Sequence, residues 1–405
     1  MGPVTERERI DVIDVLRGFA LFGILAANMR GFNSPAQTYM TPSAMWNAPL
    51  DRVAQALIDT FIGGKFITLF AVLFGIGFAI QMGRAEAHGA RFLSFYPRRL
   101  LLLLLLGLAH GTLLWWGDIL ALYALLGFLL LLFRKRRQRT VLIWAISVQS
   151  LALVINATFL ILAQCGIRTP APPDPTREII ARSIQIYAQG TWVEIQRQNF
   201  HDWVGIDKSF IFMLTWVLPR FLFGLWLWRS GWLNGLEARK RFLRKLCFWG
   251  IVLGAAGNAA AAVIVQVFDP RWSRPDLPGF LSQSLNIVFV PVLSAGYAAG
   301  IALLAMSGAW GWLHRGFAAI GRTALSNYLL QSLVSTTLFY SYGLALFGKV
   351  GPALGLIPTL LIYGAQLPLS LWWLKRFQFG PLEWGWRSLT YWQVQSIRAA
   401  KPQPG

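Results

Sequence analysis

Hydrophobic positions along this chain gather in long runs, with charged and polar residues confined to the gaps between them. The stretch "LLLLLLGLAH", followed directly by "GTLLWWGDILALYALLGFLLLLF", is the clearest case. Runs this long and this apolar suit lipid rather than a soluble core, because a spanning helix needs about 20 such residues. Apolar segments fall near 13–30, 64–82, 98–116, 117–133, 141–163, 209–228, 246–268, 281–306, 318–345 and 352–374. The pattern predicts an all-α, polytopic membrane bundle of about ten transmembrane helices. Residues 13–29 could pass for a signal peptide, but Asp11, Asp14 and Arg17 abut the apolar run and many spans follow. A retained first helix is expected.

The gaps divide the chain into helices one to five over 1–165, an outer loop over 166–208, and helices six to ten over 209–405. Residues 31–62 close in an amphipathic helical pattern. The 166–208 segment opens on "TPAPPDPT", and its second part has a helical period with interleaved aromatics that predicts a helix along the outer surface. A polar connection of this length usually carries function or acts as a linker.

Charge then orients the bundle. Lys and Arg number 37 against 17 Asp and Glu, for a net charge of +20. The basic residues cluster in alternate loops: Arg84, Arg91, Arg98 and Arg99; Arg134, Arg136, Arg137 and Arg139; Arg239, Arg241, Arg244 and Lys245; Arg315 and Arg322. The intervening "WWGD" has no basic residue, and the turns near 269–280 and 346–351 are sparsely charged. By the positive-inside rule the N-terminus is cytoplasmic, and an even number of spans returns the C-terminal tail to the same side. The surplus is therefore a property of membrane loops, and no nucleic-acid partner is expected. Cys165 and Cys247 are far apart, so neither a disulfide framework nor a metal site is predicted.

Walker, Rossmann, HExxH and GxSxG signatures are absent. Polar residues at membrane depth remain, and these are costly enough to be candidate functional groups. His110 lies inside the third run and Asp118 at the turn into the fourth; both belong to the outer half. Eight residues of straight helix is about 12 Å, so the pair meets only if the turn at Gly117 folds Asp118 back. A histidine oriented by a carboxylate is a general base; the alternative is a helix-packing histidine and a helix-capping aspartate. Asn28, at the outer end of the first run, can hold a carbonyl or developing oxyanion, or simply end its helix. Asp14 and Arg17, one turn apart at the inner boundary, form either an anchoring ion pair or a held arginine facing phosphate. Arg322, Asn327 and Gln331, in the run "GRTALSNYLLQS", either line an interior face or bind helices together.

The ordered set "RIDVIDVLRGFALFGILAANM", "KFITLFAVLFGIGFAIQMGR", "PRRLLLLLLLGLAHGTLLWWGDILALYALLG", "PRFLFGLWLWRSG", "GRTALSNYLLQS" and "GPLEWGWRSLTYW" resembles the YeiB-like family of bacterial inner-membrane proteins. The resemblance covers nearly the whole chain, and the family's C-terminal half is a domain of unknown function. The family is grouped with the transmembrane acyltransferase superfamily, whose members open on a similar pattern, matched here by Arg9, Asp14, Arg17 and Gly18. Acyltransferase-3 members carry a histidine at the end of that helix, where this chain has Asn28; the heparan-type enzymes have an asparagine there and a later histidine that this chain lacks.

What the resemblance implies is a membrane O- or N-acyltransferase; the reading of the residues adds His110 as base, Asp118 orienting it and Asn28 at the oxyanion. Asp14, Arg17, Arg322, Asn327 and Gln331 would serve the donor or substrate. No covalently bound cofactor is expected; acyl-CoA is the expected donor. The expected partners are membrane lipids, a lipid or glycan acceptor and a second copy of the chain as a homodimer. The competing reading is a transporter or permease for a lipid-like solute, in which the same polar residues line a pathway.

Overall fold

A computed structural model describes residues 11–39, 45–167, 176–207, 210–268, 276–308 and 310–398, and among these every long element is an α-helix. Arg9 of the opening pattern and most of "TPAPPDPT" lie outside the described residues. Among the described residues, seven helical stretches are long and apolar enough to cross a membrane: Asp11–Asn33, Pro49–Ala87, Phe92–Leu113, Gln138–Gln164, Leu236–Phe268, Leu277–Ser307 and Pro352–Leu374.

Helix α1 (Asp11–Asn33) is buried around its whole circumference, as a helix must be when neighbours enclose it on all sides. It is packed by α3 (Lys65–Ala87), α11 (Leu277–Ser307), α12 (Gly311–Arg322), α13 (Ala324–Phe339) and α14 (Pro352–Leu374). The closest approach is to α12. A Cβ at Gly18 would stand 2.0 Å from the Phe317 carbonyl oxygen, and one at Gly321 would stand 1.9 Å from that of Asp14. Backbones this close permit only glycine, the usual device for joining helices in lipid, where apolar burial alone gives no attraction. The same device pairs α10 (Lys240–Phe268) with α11 through Gly250 and Gly296.

The outer helices have the opposite character. On α6 (Gln138–Gln164), Ile143, Trp144 and Ile146 are exposed, as are Phe248, Trp249 and Val263 on α10. In a membrane protein such apolar faces belong to lipid. The expected amphipathic end of 31–62 is α2 (Pro49–Phe61), which runs into α3 through Gly63 and Gly64; Leu50, Val53, Leu57 and Phe61 form its exposed apolar stripe.

Three departures from regular spans position the site. First, α4 (Tyr96–Leu113) stops short, and residues 114–119 turn back into the bundle before α5 (Leu120–Leu130) begins. Trp115 and Trp116 point inward from that turn, and the Trp115 indole N–H donates to the Gly31 carbonyl at 3.1 Å. Second, the segment expected as one run over 318–345 is two helices, α12 and α13, broken at Thr323. The break survives because Glu383, on α15 (Pro381–Tyr391), caps α13: one carboxylate oxygen accepts the Leu325 and Ser326 amides at 2.6 and 3.1 Å, and the other accepts the Ser326 hydroxyl. Third, the outer segment folds into α7 (Arg177–Gln189) and α8 (Trp192–Asp207). Thr191 and Glu194 exchange hydrogen bonds as a capping box at the start of α8.

The glycine contacts make a testable claim. Gly321→Leu drives a side chain into the α1 backbone and should cost about 1–3 kcal/mol or more. Gly83→Leu, with nothing within 4 Å of a Cβ, should stay within about 0.5 kcal/mol of wild type. Thermal melting of the detergent-solubilised protein, followed by size exclusion, separates the two.

Candidate functional site

Asp118 anchors the site. Its carboxylate accepts the amides of Leu120 at 3.1 Å and Ala121 at 2.8 Å, so it caps the start of α5. It also faces His110, whose Nδ1 lies 2.8 Å from Oδ1, and neither side chain is exposed. The capping and histidine-orienting roles, alternatives at the level of sequence, are thus held by one side chain. The turn makes this possible by returning Asp118 alongside α4, where a Cβ at Gly107 would meet a carboxylate oxygen at 2.9 Å.

The other face of the imidazole completes the arrangement. Nε2 of His110 lies 2.9 Å from the Ser332 hydroxyl on α13, and Ser332 is wholly buried. A carboxylate accepts and cannot donate, so in the neutral ring the proton sits on Nδ1 and Nε2 carries the lone pair. The Ser332 hydroxyl is then the donor to Nε2. Its other partner, the Tyr328 carbonyl one turn back, is at 3.4 Å, too long to compete well. Ser332, His110 and Asp118 therefore form one buried hydrogen-bonded line across three elements. Tyr328 and Trp115 wall the imidazole, with ring centroids 5.2 and 6.3 Å away.

Helices α7 and α8 close over this line. Asn199 on α8 donates to the Gly111 carbonyl at 3.1 Å, and Trp203 packs against Gly111. Inside that pair, Asp202 accepts from Tyr187 at 2.9 Å, Gln198 at 2.8 Å and Gln37 at 3.0 Å. Burial pushes the Asp202 carboxyl above its usual value, against the lowering effect of those donors, and burial also pushes the Tyr187 hydroxyl well up.

The other sequence-selected residues fall in two places. Asn28 is buried on α1, one turn before the Gly31 whose carbonyl accepts from Trp115, and no hydrogen bond joins it to His110 or Asp118. At the far end of α1, Arg17 donates to Asp14 at 3.1 Å and remains partly exposed. Arg322 ends α12 at the same level, beside Gly321 and its contact with Asp14. Arg17 is also close enough to Arg99 of α4 for mutual repulsion, and Arg99 stacks on Trp386 at 3.7 Å. Asn327 and Gln331 turn toward α14: the Asn327 amide donates to Ser370 at 3.1 Å, and that of Gln331 to Gln366 at 2.8 Å. In this arrangement both bind helices together.

Sequence reasoning missed Ser332 and Glu383. Ser332 is the last residue of the quoted run "GRTALSNYLLQS", and the polar spacing Ser332, Ser335, Thr336 along one face was its available signal. Glu383 stands as the one acidic residue of "GPLEWGWRSLTYW".

The fold and site define a polytopic helical membrane protein with a serine–histidine–aspartate line enclosed in its bundle. Residues 227–393 match the family model described as a protein of unknown function, DUF418. The chain is 36% identical to the uncharacterized protein YxaH of Bacillus subtilis and 32% identical to the uncharacterized protein YeiB of Escherichia coli, in both cases over 98% of each chain. A third relative, an uncharacterized 39.9 kDa protein of Bacillus acidopullulyticus, is 28% identical over 96% of each. The protein belongs to the YeiB-like family. No solved structure matches it.

The Asp202 environment sets a pH response for the outer helix pair. Below pH 3.8 the carboxyl is protonated in folded and unfolded chains alike. Between 3.8 and the raised native value, only the unfolded chain is ionised, so the native form binds more protons. Stability is thus fully present at low pH and is lost as pH rises through that window. Hydrogen exchange of α7 and α8, corrected for intrinsic chemistry, should show opening that increases up to about tenfold per pH unit there. Asp202→Asn should flatten the slope.

Proposed function

We propose that this protein is a bacterial inner-membrane acyltransferase, moving an acyl group from a cytoplasmic acyl-CoA-like donor to a hydroxyl or amine acceptor at the outer side. The observation that carries the reading is His110 held between Asp118 and Ser332. Orienting an imidazole this way costs two helix ends and a buried charge, more than helix packing requires, and it presents the Nε2 lone pair to an O–H donor. Asp118 fixes the tautomer and stabilises the imidazolium formed when Nε2 takes a proton, the division of labour seen wherever serine, histidine and aspartate act together. The Asn28 amide is the candidate donor to the carbonyl oxygen.

The full topology belongs to this proposal. Ten spans, with both termini cytoplasmic, put Arg17, Arg99 and Arg322 on the donor side, where an arginine fork suits phosphate. Ser332 lies ten residues beyond Arg322, about 15 Å deeper along the helices. A donor with its phosphates among the arginines would have to send its acyl end inward over that length. The alternation of basic and sparsely charged loops supports the orientation.

The test is transfer from acyl-CoA to acceptors in a membrane extract, read as CoA release and labelled product. His110→Ala and Asp118→Asn should each lower the rate by about 10²–10⁴-fold while leaving membrane insertion and the elution profile unchanged. Transfer at the wild-type rate in both variants would remove these residues from the chemistry. Solute flux into vesicles, with no acyl donor consumed, would favour a transporter instead.

A further inference from the structure

In the closed arrangement described above, the one hydroxyl in hydrogen-bond contact with His110 Nε2 is the protein's own. An acceptor cannot present its O–H to that lone pair until the Ser332 hydroxyl gives it up. We infer that Ser332 is itself the first acyl acceptor, so that transfer runs through an acyl-serine in the membrane rather than directly from donor to acceptor. The inference rests on the acyl-transfer reading and adds a nucleophile to it.

The steps balance as follows. The Ser332 oxygen attacks the donor's thioester carbonyl carbon, and its proton passes to His110 Nε2. The carbon–sulfur bond breaks, the proton goes from His110 to the departing sulfur, and the free thiol leaves with Ser332 esterified. Esterification removes the only proton Ser332 had to donate, so Nε2 becomes free to accept from the second substrate. The acceptor's oxygen or nitrogen then attacks the ester carbonyl, its proton goes to Nε2, and the bond to Ser332 Oγ breaks. His110 returns that proton to Oγ and restores the starting line.

A second feature of α13 fits this role. In a helix interior the amides are engaged with carbonyls one turn back, so Ser332 has no neighbouring backbone N–H to offer an oxyanion. Ser335 lies on the same face at i+3, about 5–6 Å between Cβ atoms. Its hydroxyl is fully buried and has no hydrogen-bond partner. An unpaired buried hydroxyl is costly unless something uses it. Placed one turn from Ser332, it is the donor available to the tetrahedral intermediate.

The full-length protein in nanodiscs is exposed to an alkyl fluorophosphonate, which phosphonylates activated serine hydroxyls, and separately to radiolabelled acetyl-CoA without acceptor. The expected result is a single phosphonyl adduct mapped to Ser332 by peptide mass spectrometry. Its rate of formation should fall at least about a hundredfold in His110→Ala, disappear in Ser332→Ala, and remain unchanged in Thr337→Ala, an exposed position on the same helix. With acetyl-CoA, wild type should retain label as an oxygen ester. Ser332→Cys, which keeps a proton donor at the same place, should retain it as a thioester cleaved by neutral hydroxylamine. Absence of any adduct at Ser332 overturns the inference, and so does wild-type transfer by Ser332→Ala; in the latter case acyl transfer itself stands. An adduct at Ser332 with no CoA released and no acyl group transferred upholds the nucleophile and removes the acyl-CoA reading.

Discussion

A carboxylate carried into the interior of a membrane bundle has to be surrounded by donors, because no water is there to supply them. Asp118 meets that condition with three: the two amides at the start of α5 and the His110 ring N–H. Much else at this end of the molecule follows. The turn at 114–119 exists in a form that returns Asp118 to α4; Trp115 and Trp116 fill the space the turn leaves; α8 covers it. Removing the carboxylate would leave a helix end uncapped and a ring N–H unpaired, a combined cost of about 2–4 kcal/mol. The same three hydrogen bonds decide which imidazole nitrogen faces Ser332. Stability and the proposed chemistry are therefore set by one group.

The other end of the bundle obeys the same rule with a different carboxylate. Glu383 ties α15 to the start of α13, and α15 is strapped to α4 by Arg98, which donates to the Thr390 carbonyl at 2.9 Å, and by the Arg99–Trp386 stack. Helix α13, which carries Ser332, thus has its start fixed by Glu383, while Ser332 meets His110 farther along. The bonds of Asn327 and Gln331 to α14 fix its rotation. A serine positioned from this many directions is held still, which a hydroxyl serving as nucleophile requires.

Long spans were legible in the sequence because polar residues mark their ends. The segments read as 13–30, 141–163, 281–306 and 352–374 are helices within a few residues of those limits, and 246–268 lies inside the longer α10. The break at Thr323 was not legible, since its stabilising cap comes from Glu383 about 60 positions later and no glycine or proline marks the break at Thr323 itself. The proximity of His110 and Asp118 depended on a turn whose direction eight residues of sequence do not specify. Ser332 was hidden for a general reason. Hydroxyls in apolar helices usually bond to their own backbone one turn back, and nothing local reveals that the partner is a histidine 222 positions away. Asn327 and Gln331 stood out as polar, but sequence alone cannot say that their partners are on α14.

The account turns on which nitrogen of His110 bears the proton. Solid-state nitrogen NMR of the histidine-labelled protein in lipid bilayers reads this directly, with His110→Gln identifying the resonance. The expected spectrum shows a protonated Nδ1 coupled to the Asp118 carboxylate and an unprotonated Nε2 accepting a hydrogen bond, and Asp118→Asn abolishes that preference. A His110 whose Nε2 carries the proton in the wild-type protein would contradict the account, because that nitrogen could not take the proton of Ser332 or of any acceptor.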